Sequence, residues 1–149
     1  MWRLIFVRWG RVTGKKTMVA VKTNTFKTIE VRPFAPNLGA EIYGVDLSQD
    51  VPDAQFAEIR EAFLQYQVLF FKEQKEIPPA QHVTFGKRLG PLHAHPAAPT
   101  MDGFPEIFEI HATKDSKVAN GEFWHSDVSC DETPPLGTML QIHILPPCG

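Results

Sequence analysis

The pattern of apolar and polar positions predicts two strands and then a helix in the first half of the chain. Residues 29–34 and 40–45 are short segments with β-branched and aromatic positions, and the Pro- and Gly-containing segment 36–39 separates them as a turn would. From Pro52 the spacing changes to 3-4-3, which places four large side chains on one helical face: Phe56, Ile59, Phe63 and Tyr66. We therefore expect an amphipathic helix that covers a sheet.

Farther along, the pattern indicates another strand, another helix and then mostly strands. Residues 68–71 are a short apolar run that fits a buried strand. A second helix is predicted between Pro79 and Leu89, with Phe85 and Leu89 four positions apart and Gly90 at its end. Beyond Gly90, prolines punctuate strand-like segments at residues 106–110, 122–128 and 137–145. With no repeat or flexible linker, the fold class predicted is one α+β domain that is mainly β.

Composition narrows the class of protein. The 149 residues are 43% apolar and 21% charged, which is ordinary for a soluble globular domain. The formal net charge of -2 indicates no nucleic-acid partner, and no apolar run is long enough to cross a membrane. Cys130 and Cys148 form no CxxC motif, so neither a disulfide framework nor a structural zinc site is expected. This cysteine usage suits a cytoplasmic protein.

The N-terminal segment differs from the rest because it is basic and lacks acidic residues up to Glu30. We expect residues 1–28 to be a basic extension outside the fold and residues 29–149 to form the domain. Two interpretations of the extension remain open: an organelle transit peptide, or upstream sequence ahead of a start at Met18. The second is favoured because the segment has few serines and matches no targeting class well.

The candidate chemistry centres on His125 and Asp127. Side chains two residues apart on an extended chain point to the same side, so both can reach one metal ion. An imidazole and a carboxylate are two of the three ligands in the facial triad of non-haem iron(II) enzymes. A bare HxD pattern is weak evidence, since an isolated pair is more often a surface pair or a hydrogen-bonded turn.

The HxD pair stands within an ordered series of motifs. They are residues 36–42 (PNLGAEI), 44–47 (GVDL), 67–71 (QVLFF), 90–96 (GPLHAHP), 124–129 (WHSDVS), 132–137 (ETPPLG) and 145–149 (LPPCG). This series, from about residue 31 to residue 149, resembles the taurine dioxygenase (TauD/TfdA-like) family of iron(II)- and 2-oxoglutarate-dependent enzymes. The ordered combination is far more specific than any single motif.

The resemblance implies a double-stranded β-helix (jelly-roll) core with N-terminal flanking helices, incomplete in this chain. It implies that His125 and Asp127 are the first two iron(II) ligands and that 2-oxoglutarate is the co-substrate. Decarboxylation of 2-oxoglutarate would then drive hydroxylation of a C–H bond by molecular oxygen. The expected substrate is a small organic anion, either a sulfonate or a carboxylate.

The same resemblance assigns two substrate-binding residues. His95 stands where the family places a histidine that contacts the substrate anion, although a loop histidine in a Pro-rich turn is an equally good reading. Val128 stands where a main-chain N–H helps to hold that anion. Ala98 and Gly121 occupy positions where taurine-specific members carry a tyrosine and an asparagine. Taurine itself is therefore not expected to be the best substrate.

Several functional residues of the family have no counterpart in this sequence. Relatives carry the second iron histidine and the 2-oxoglutarate arginine in their C-terminal half, so no catalytic or cofactor-binding residue is assigned and the chain alone is expected to be inactive. His143 is expected to be a partly buried strand histidine, not the missing ligand. The alternative function is a non-catalytic remnant or interaction domain that retains the HxD motif. Open strand edges at residues 122–128 and 137–145 would favour a homo-oligomer.

Overall fold

The structure is a computed structural model. It describes the main chain of residues 2–8 and, in full, residues 25–94, 99–113, 115–116, 128 and 131–144. The elements in chain order are β1 (Trp2–Arg8), β2 (Glu30–Pro33), β3 (Ala40–Tyr43), α1 (Asp53–Tyr66), β4 (Val68–Gln74), α2 (Pro79–Leu89), β5 (Thr100–Met101), β6 (Phe104–Phe108) and β7 (Gly137–Ile142). None of the helices in this part of the chain is long and apolar enough to span a membrane.

Five of the strands form one mixed sheet in the order β2-β3-β4-β1-β7, and β5 pairs with β6 separately. β3 and β4 are parallel, with Ala40 opposite Leu69 and Ile42 opposite Phe71, while the other neighbours in the sheet are antiparallel. A parallel pair needs a crossover connection, and α1 provides it. Pro33 ends β2, an edge strand, where a missing N–H is tolerated.

Helix α1 confirms the helical spacing predicted from Pro52 onward. Ile59, Phe63 and Tyr66 are buried, and Phe56 packs edge-to-face on Phe85 of α2 with 5.5 Å between ring centroids. Pro52 directly precedes the helix, a position at which its missing N–H removes no helical hydrogen bond. The predicted strand at residues 68–71 and the second helix at 79–89 are confirmed as well.

The core lies between α1 and one face of the sheet. Because side chains alternate along a strand, one set of β3 and β4 positions points to the helix and is fully buried: Ala40, Ile42, Leu69 and Phe71. Burying each large apolar side chain stabilises the fold by about 1.5–3 kcal/mol. The intervening positions face the other side and are only half-buried: Glu41, Tyr43, Phe70 and Lys72.

A bulge near the end of β4 turns one polar side chain into this core. Trp2 pairs with Gln74 but Leu4 pairs with Phe71, so β4 contains one more residue than β1 over this interval. Glu73 takes the left-handed conformation, with φ 58°. The extra residue reverses the alternation, and Gln74, at 6% exposure, is buried like Phe71.

The Gln74 amide uses both of its ends in the core. Its Oε1 accepts a hydrogen bond from the Leu47 N–H at 2.9 Å. Its Nε2 donates to the carbonyl oxygens of Val45 at 2.7 Å and Lys72 at 2.8 Å. This side chain therefore ties the segment after β3 to the end of β4, and it satisfies main-chain groups of Val45 and Leu47, which lie outside the strands.

Arg88 joins the two helices at the start of α1. Its guanidinium donates to the Val51 carbonyl oxygen and, at 2.6 Å, to Asp53 Oδ1. The guanidinium carbon also lies 4.0 Å from the centroid of the Phe56 ring. A planar fork that makes two hydrogen bonds while stacking on a ring fixes the orientation of α2 against α1.

The N-terminal segment differs from the expectation that residues 1–28 lie outside the fold. Trp2–Arg8 forms a strand between β4 and β7, paired with both. The N–H groups of Lys27 and Thr28 donate to the Glu58 carboxylate at 2.8 Å each. Strand pairing and the hydrogen bonds to Glu58 bring residues 2–8 and 27–28 into contact with the domain. The charge composition of the segment does not predict either contact.

The predicted strands of the second half are found in part. The segment at 106–110 corresponds to β6 and the segment at 137–145 to β7. Residues 122–127 lie outside the described residues. Val128, the last residue of that predicted strand, is instead in a turn. One edge of β7 pairs with β1 along Gly137–Ile142, and within the described residues β7 is the outer strand of the sheet, so its other edge has no strand partner there.

We predict that Gln74→Leu lowers the free energy of unfolding by about 2–4 kcal/mol, because it leaves the Leu47 N–H and the Val45 carbonyl buried without a partner. Urea denaturation measures the loss. The matched control is Gln49→Leu at an exposed position, where a change within about 0.5 kcal/mol is expected. Equal losses in both variants would contradict the role given to Gln74.

Candidate functional site

Most of the residues proposed for the site lie outside the described residues. These are the metal ligands His125 and Asp127, the substrate residue His95, and the positions Ala98 and Gly121. Val128 is described. Within the part of the chain that the structure describes, no group of three or more His, Cys, Asp or Glu residues could hold a metal ion.

Val128 marks a change of direction directly after the HxD motif. Its φ of 50° lies in the left-handed region, which is uncommon for a β-branched residue. Its carbonyl oxygen accepts a hydrogen bond from the Asp131 N–H at 3.1 Å, which closes a turn. Such a conformation costs about 1–3 kcal/mol and is found most often at functional sites. The main chain therefore turns at the position from which we expect an N–H to bind the substrate anion.

A contact between two loops connects the segments that carry the proposed site. His93 Nε2 lies 3.3 Å from Asp131 Oδ2, with both side chains partly exposed. His93 is two residues before His95, and Asp131 is four residues after Asp127. The contact therefore joins two described residues that are close in sequence to the proposed substrate and metal-binding residues.

Sequence reasoning missed the partner of His93. The motifs at residues 90–96 and 132–137 single out neither His93 nor Asp131. The available signal was a carboxylate in the loop that follows the HxD motif, but its partner is 38 positions earlier in the chain. Only the tertiary fold brings two such residues together.

Two histidines lie where α2 meets the end of β7. His82 is half-buried, and its ring is hydrogen-bonded to the main chain of Met139. Burial lowers the pKa of His82 below its usual value. The hydrogen bond to Met139 acts in the opposite direction, and the nearby His143 lowers the pKa further. His143 directly follows β7, and its Nδ1 lies 3.8 Å from Glu76 Oε1. It is exposed, which corrects the expectation of a partly buried strand histidine.

The sheet face opposite α1 carries a paired set of charges. Tyr43 donates its hydroxyl to Glu41 Oε2 at 2.8 Å, and Lys72 Nζ lies 3.1 Å from Glu41 Oε1. The Tyr43 hydrogen bond and then Lys72 lower the pKa of Glu41, and the same hydrogen bond raises the pKa of Tyr43. Arg32 lies over the Tyr43 ring, 4.2 Å from its centroid. Because these charges are matched within the sheet, we interpret the cluster as structural.

Comparisons with known proteins give a consistent result. A family model described as "Taurine catabolism dioxygenase TauD, TfdA family" matches residues 30–149. An alpha-ketoglutarate-dependent sulfate ester dioxygenase of Pseudomonas putida is 33% identical over 121 residues, which are 81% of this chain and 39% of that protein. An alkylsulfatase of Acinetobacter baylyi is 31% identical over 126 residues, 85% of this chain and 39% of that protein.

A solved structure supports the same relationship. The crystal structure of a taurine dioxygenase from Burkholderia xenovorans matches with a TM-score of 0.52 and 37% identity, over 58% of this chain and 31% of that chain. The chain thus spans 39% of the length of the two curated relatives that it matches.

We predict a coupling energy of about 0.2–1 kcal/mol between protonated His93 and Asp131, the range for exposed ion pairs. A double-mutant cycle of His93→Gln and Asp131→Asn, followed by urea denaturation, measures it. The control cycle combines His93→Gln with Glu132→Gln, at an exposed neighbouring position, and should give no coupling. Equal coupling in the two cycles would show that the 3.3 Å contact is not specific.

Proposed function

Because the chain belongs to the taurine catabolism dioxygenase TauD, TfdA family, we propose that it supplies part of the metal and substrate site of an iron(II)- and 2-oxoglutarate-dependent dioxygenase. The observation that carries the proposal is the family match over residues 30–149, which includes His125 and Asp127 in the HxD motif. The mixed sheet with two flanking helices is consistent with the N-terminal part of the jelly-roll domain that we propose for residues 29–149.

The donor set suits iron(II) but is incomplete. An imidazole and a carboxylate match two positions of the facial triad, and Asp127 would supply the charged one. We expect the second histidine, and the arginine for the distal carboxylate of 2-oxoglutarate, from the part of the relatives beyond the matched region. Iron(II) bound there would let molecular oxygen oxidise both 2-oxoglutarate, to succinate and carbon dioxide, and a C–H bond of the substrate, to an alcohol.

The chain's own residues would bind and orient the substrate. His95 donates a hydrogen bond to the substrate anion, and the Val128 main chain supplies a second donor. These two roles rest on the resemblance of residues 90–96 and 124–129 to the family's motifs. Holding the substrate in one orientation next to the metal is the protein's main contribution to such a reaction.

Related proteins support an anionic substrate. The Pseudomonas putida relative is named for sulfate esters, and the Acinetobacter baylyi relative is named an alkylsulfatase. We propose a small organic anion of the sulfonate, sulfate ester or carboxylate class. Taurine is disfavoured because Ala98 and Gly121 lack the side-chain donors that taurine-specific members carry at these positions.

We predict that Asp127→Ala abolishes succinate formation in a fusion of this chain to the unmatched C-terminal part of the Pseudomonas putida relative. The reason is that the substitution removes the only charged ligand of the proposed triad. Succinate is measured with iron(II), oxygen and 2-oxoglutarate present. Undiminished succinate formation by the variant would exclude Asp127 as a ligand.

Two controls accompany this fusion experiment. Glu132→Ala, an exposed change in the loop that follows the motif, should leave succinate formation unchanged. The 149-residue chain without the fused part should form no succinate and bind iron(II) weakly, because two ligands at positions i and i+2 do not define a facial arrangement. If the fusion binds iron(II) but forms no succinate, the non-catalytic alternative is favoured.

We predict that the same fusion prefers an alkyl sulfate ester or another sulfonate over taurine by roughly 5- to 150-fold, the effect of losing one buried polar partner worth about 1–3 kcal/mol. Competition assays that compare the amounts of each product measure this preference. Introducing Ala98→Tyr and Gly121→Asn together should shift the preference toward taurine. A clear preference for taurine in the unmodified fusion would contradict the substrate assignment.

A further inference from the structure

Strands β4 and β7 do not pair with each other, and β1 lies between them. On one side, β1 pairs with β4: Trp2 is opposite Gln74, and residues 4–7 are opposite residues 71–68. On the other side, Arg3 to Arg8 pair with Ile142 to Gly137 of β7. It is the fourth strand in the order β2-β3-β4-β1-β7. Within the described residues, β1 is therefore the strand that connects β7 to the rest of the sheet.

The segment that forms β1 precedes the part of the chain that matches the family. The match begins at residue 30, whereas β1 ends at Arg8. Taken without residues 2–8, the described part of the matched region has an unpaired edge on β4, and both edges of β7 are unpaired, one of them facing the space that β1 occupies. Two facing edges with unpaired N–H and C=O groups form a slot that accepts one extended segment.

The sequence of β1 suits this position. Residues 4–7 are Leu-Ile-Phe-Val, a continuous apolar run with β-branched and aromatic members, and Arg3 and Arg8 flank it. Residues of these types favour the extended conformation of a strand. The run contains no proline or glycine, so every residue can donate to one neighbouring strand.

We propose that Trp2–Arg8 is a donor strand, supplied by the same chain, that fills a strand-acceptor slot between β4 and β7. Residues 9–24 connect it to the domain, and this covalent tether gives β1 a higher effective concentration at the slot than a second copy has. The basic segment then has a structural role, which neither of the two interpretations from its composition includes. The proposal is independent of the proposed enzymatic function.

Disulfide trapping in the full chain tests the register. The background replaces Cys130 and Cys148, the two native cysteines, with serine. Val7→Cys is then combined with Val68→Cys or with Thr138→Cys, the residues directly opposite it on β4 and β7. Each pair should form an intramolecular disulfide on mild oxidation, detected by peptide mapping of the monomer.

The crossed pair Val7→Cys with Leu140→Cys is the matched control, since Leu140 is opposite Ile5. It should give about tenfold less disulfide, because diagonal neighbours are roughly 7–8 Å apart and directly opposite ones about 4.5–5.5 Å apart. Equal yields in the direct and crossed pairs, or none in either, would overturn the proposal. Disulfides between two chains would assign the slot to a second copy and overturn the same-chain assignment.

Hydrogen exchange on the unmodified chain tests the same pairing without any cysteine substitution, so it does not depend on whether the variants fold. The amides of residues 3–7 should exchange at least about tenfold more slowly than in a free peptide of residues 1–17, because each would be bonded to β4 or β7. Exchange at the rate of the free peptide would show that the slot is not filled by β1.

Discussion

The parallel pairing of β3 with β4 is the constraint on which the rest of the described structure depends. Parallel neighbours cannot be joined by a tight turn, so the chain must cross over, and α1 forms that crossover on the face where Ile42 and Phe71 point. The apolar face of α1 and the inner positions of both strands then form one core. Gln74 fixes the position of the segment that follows β3, because its side chain bonds Val45 and Leu47 to the end of β4.

The second helix extends this core toward the loop that contains His93. Arg88 near the end of α2 bonds to the start of α1, so the direction in which the chain leaves α2 is set by the packing of the two helices. The chain then reaches His93, which contacts Asp131. A continuous series of contacts thus leads from the buried sheet to the two loops that flank the proposed metal and substrate residues.

Strand β7 gives the other support for the site, because it follows the HxD segment in the chain. Its pairing with β1 and the bond between His82 and Met139 hold it against the sheet and α2. The segment from Asp131 to β7 is therefore held at its start by the His93–Asp131 contact and at its end by the pairing of β7. The proposed metal ligands and anion donor would depend on such support for their relative positions.

The sequence by itself determined the local elements and the family. Helical spacing from Phe56 to Tyr66 predicted α1, and the HxD motif within its ordered series identified the likeness to dioxygenases. Both signals are local, because they depend only on the order and spacing of residues in the sequence. Only the tertiary structure decided that Gln74 is buried, that His93 meets Asp131 and that Trp2–Arg8 lies inside the sheet. These outcomes depend on strand register, on a bulge at Glu73 and on residues far apart in sequence, which no local pattern encodes.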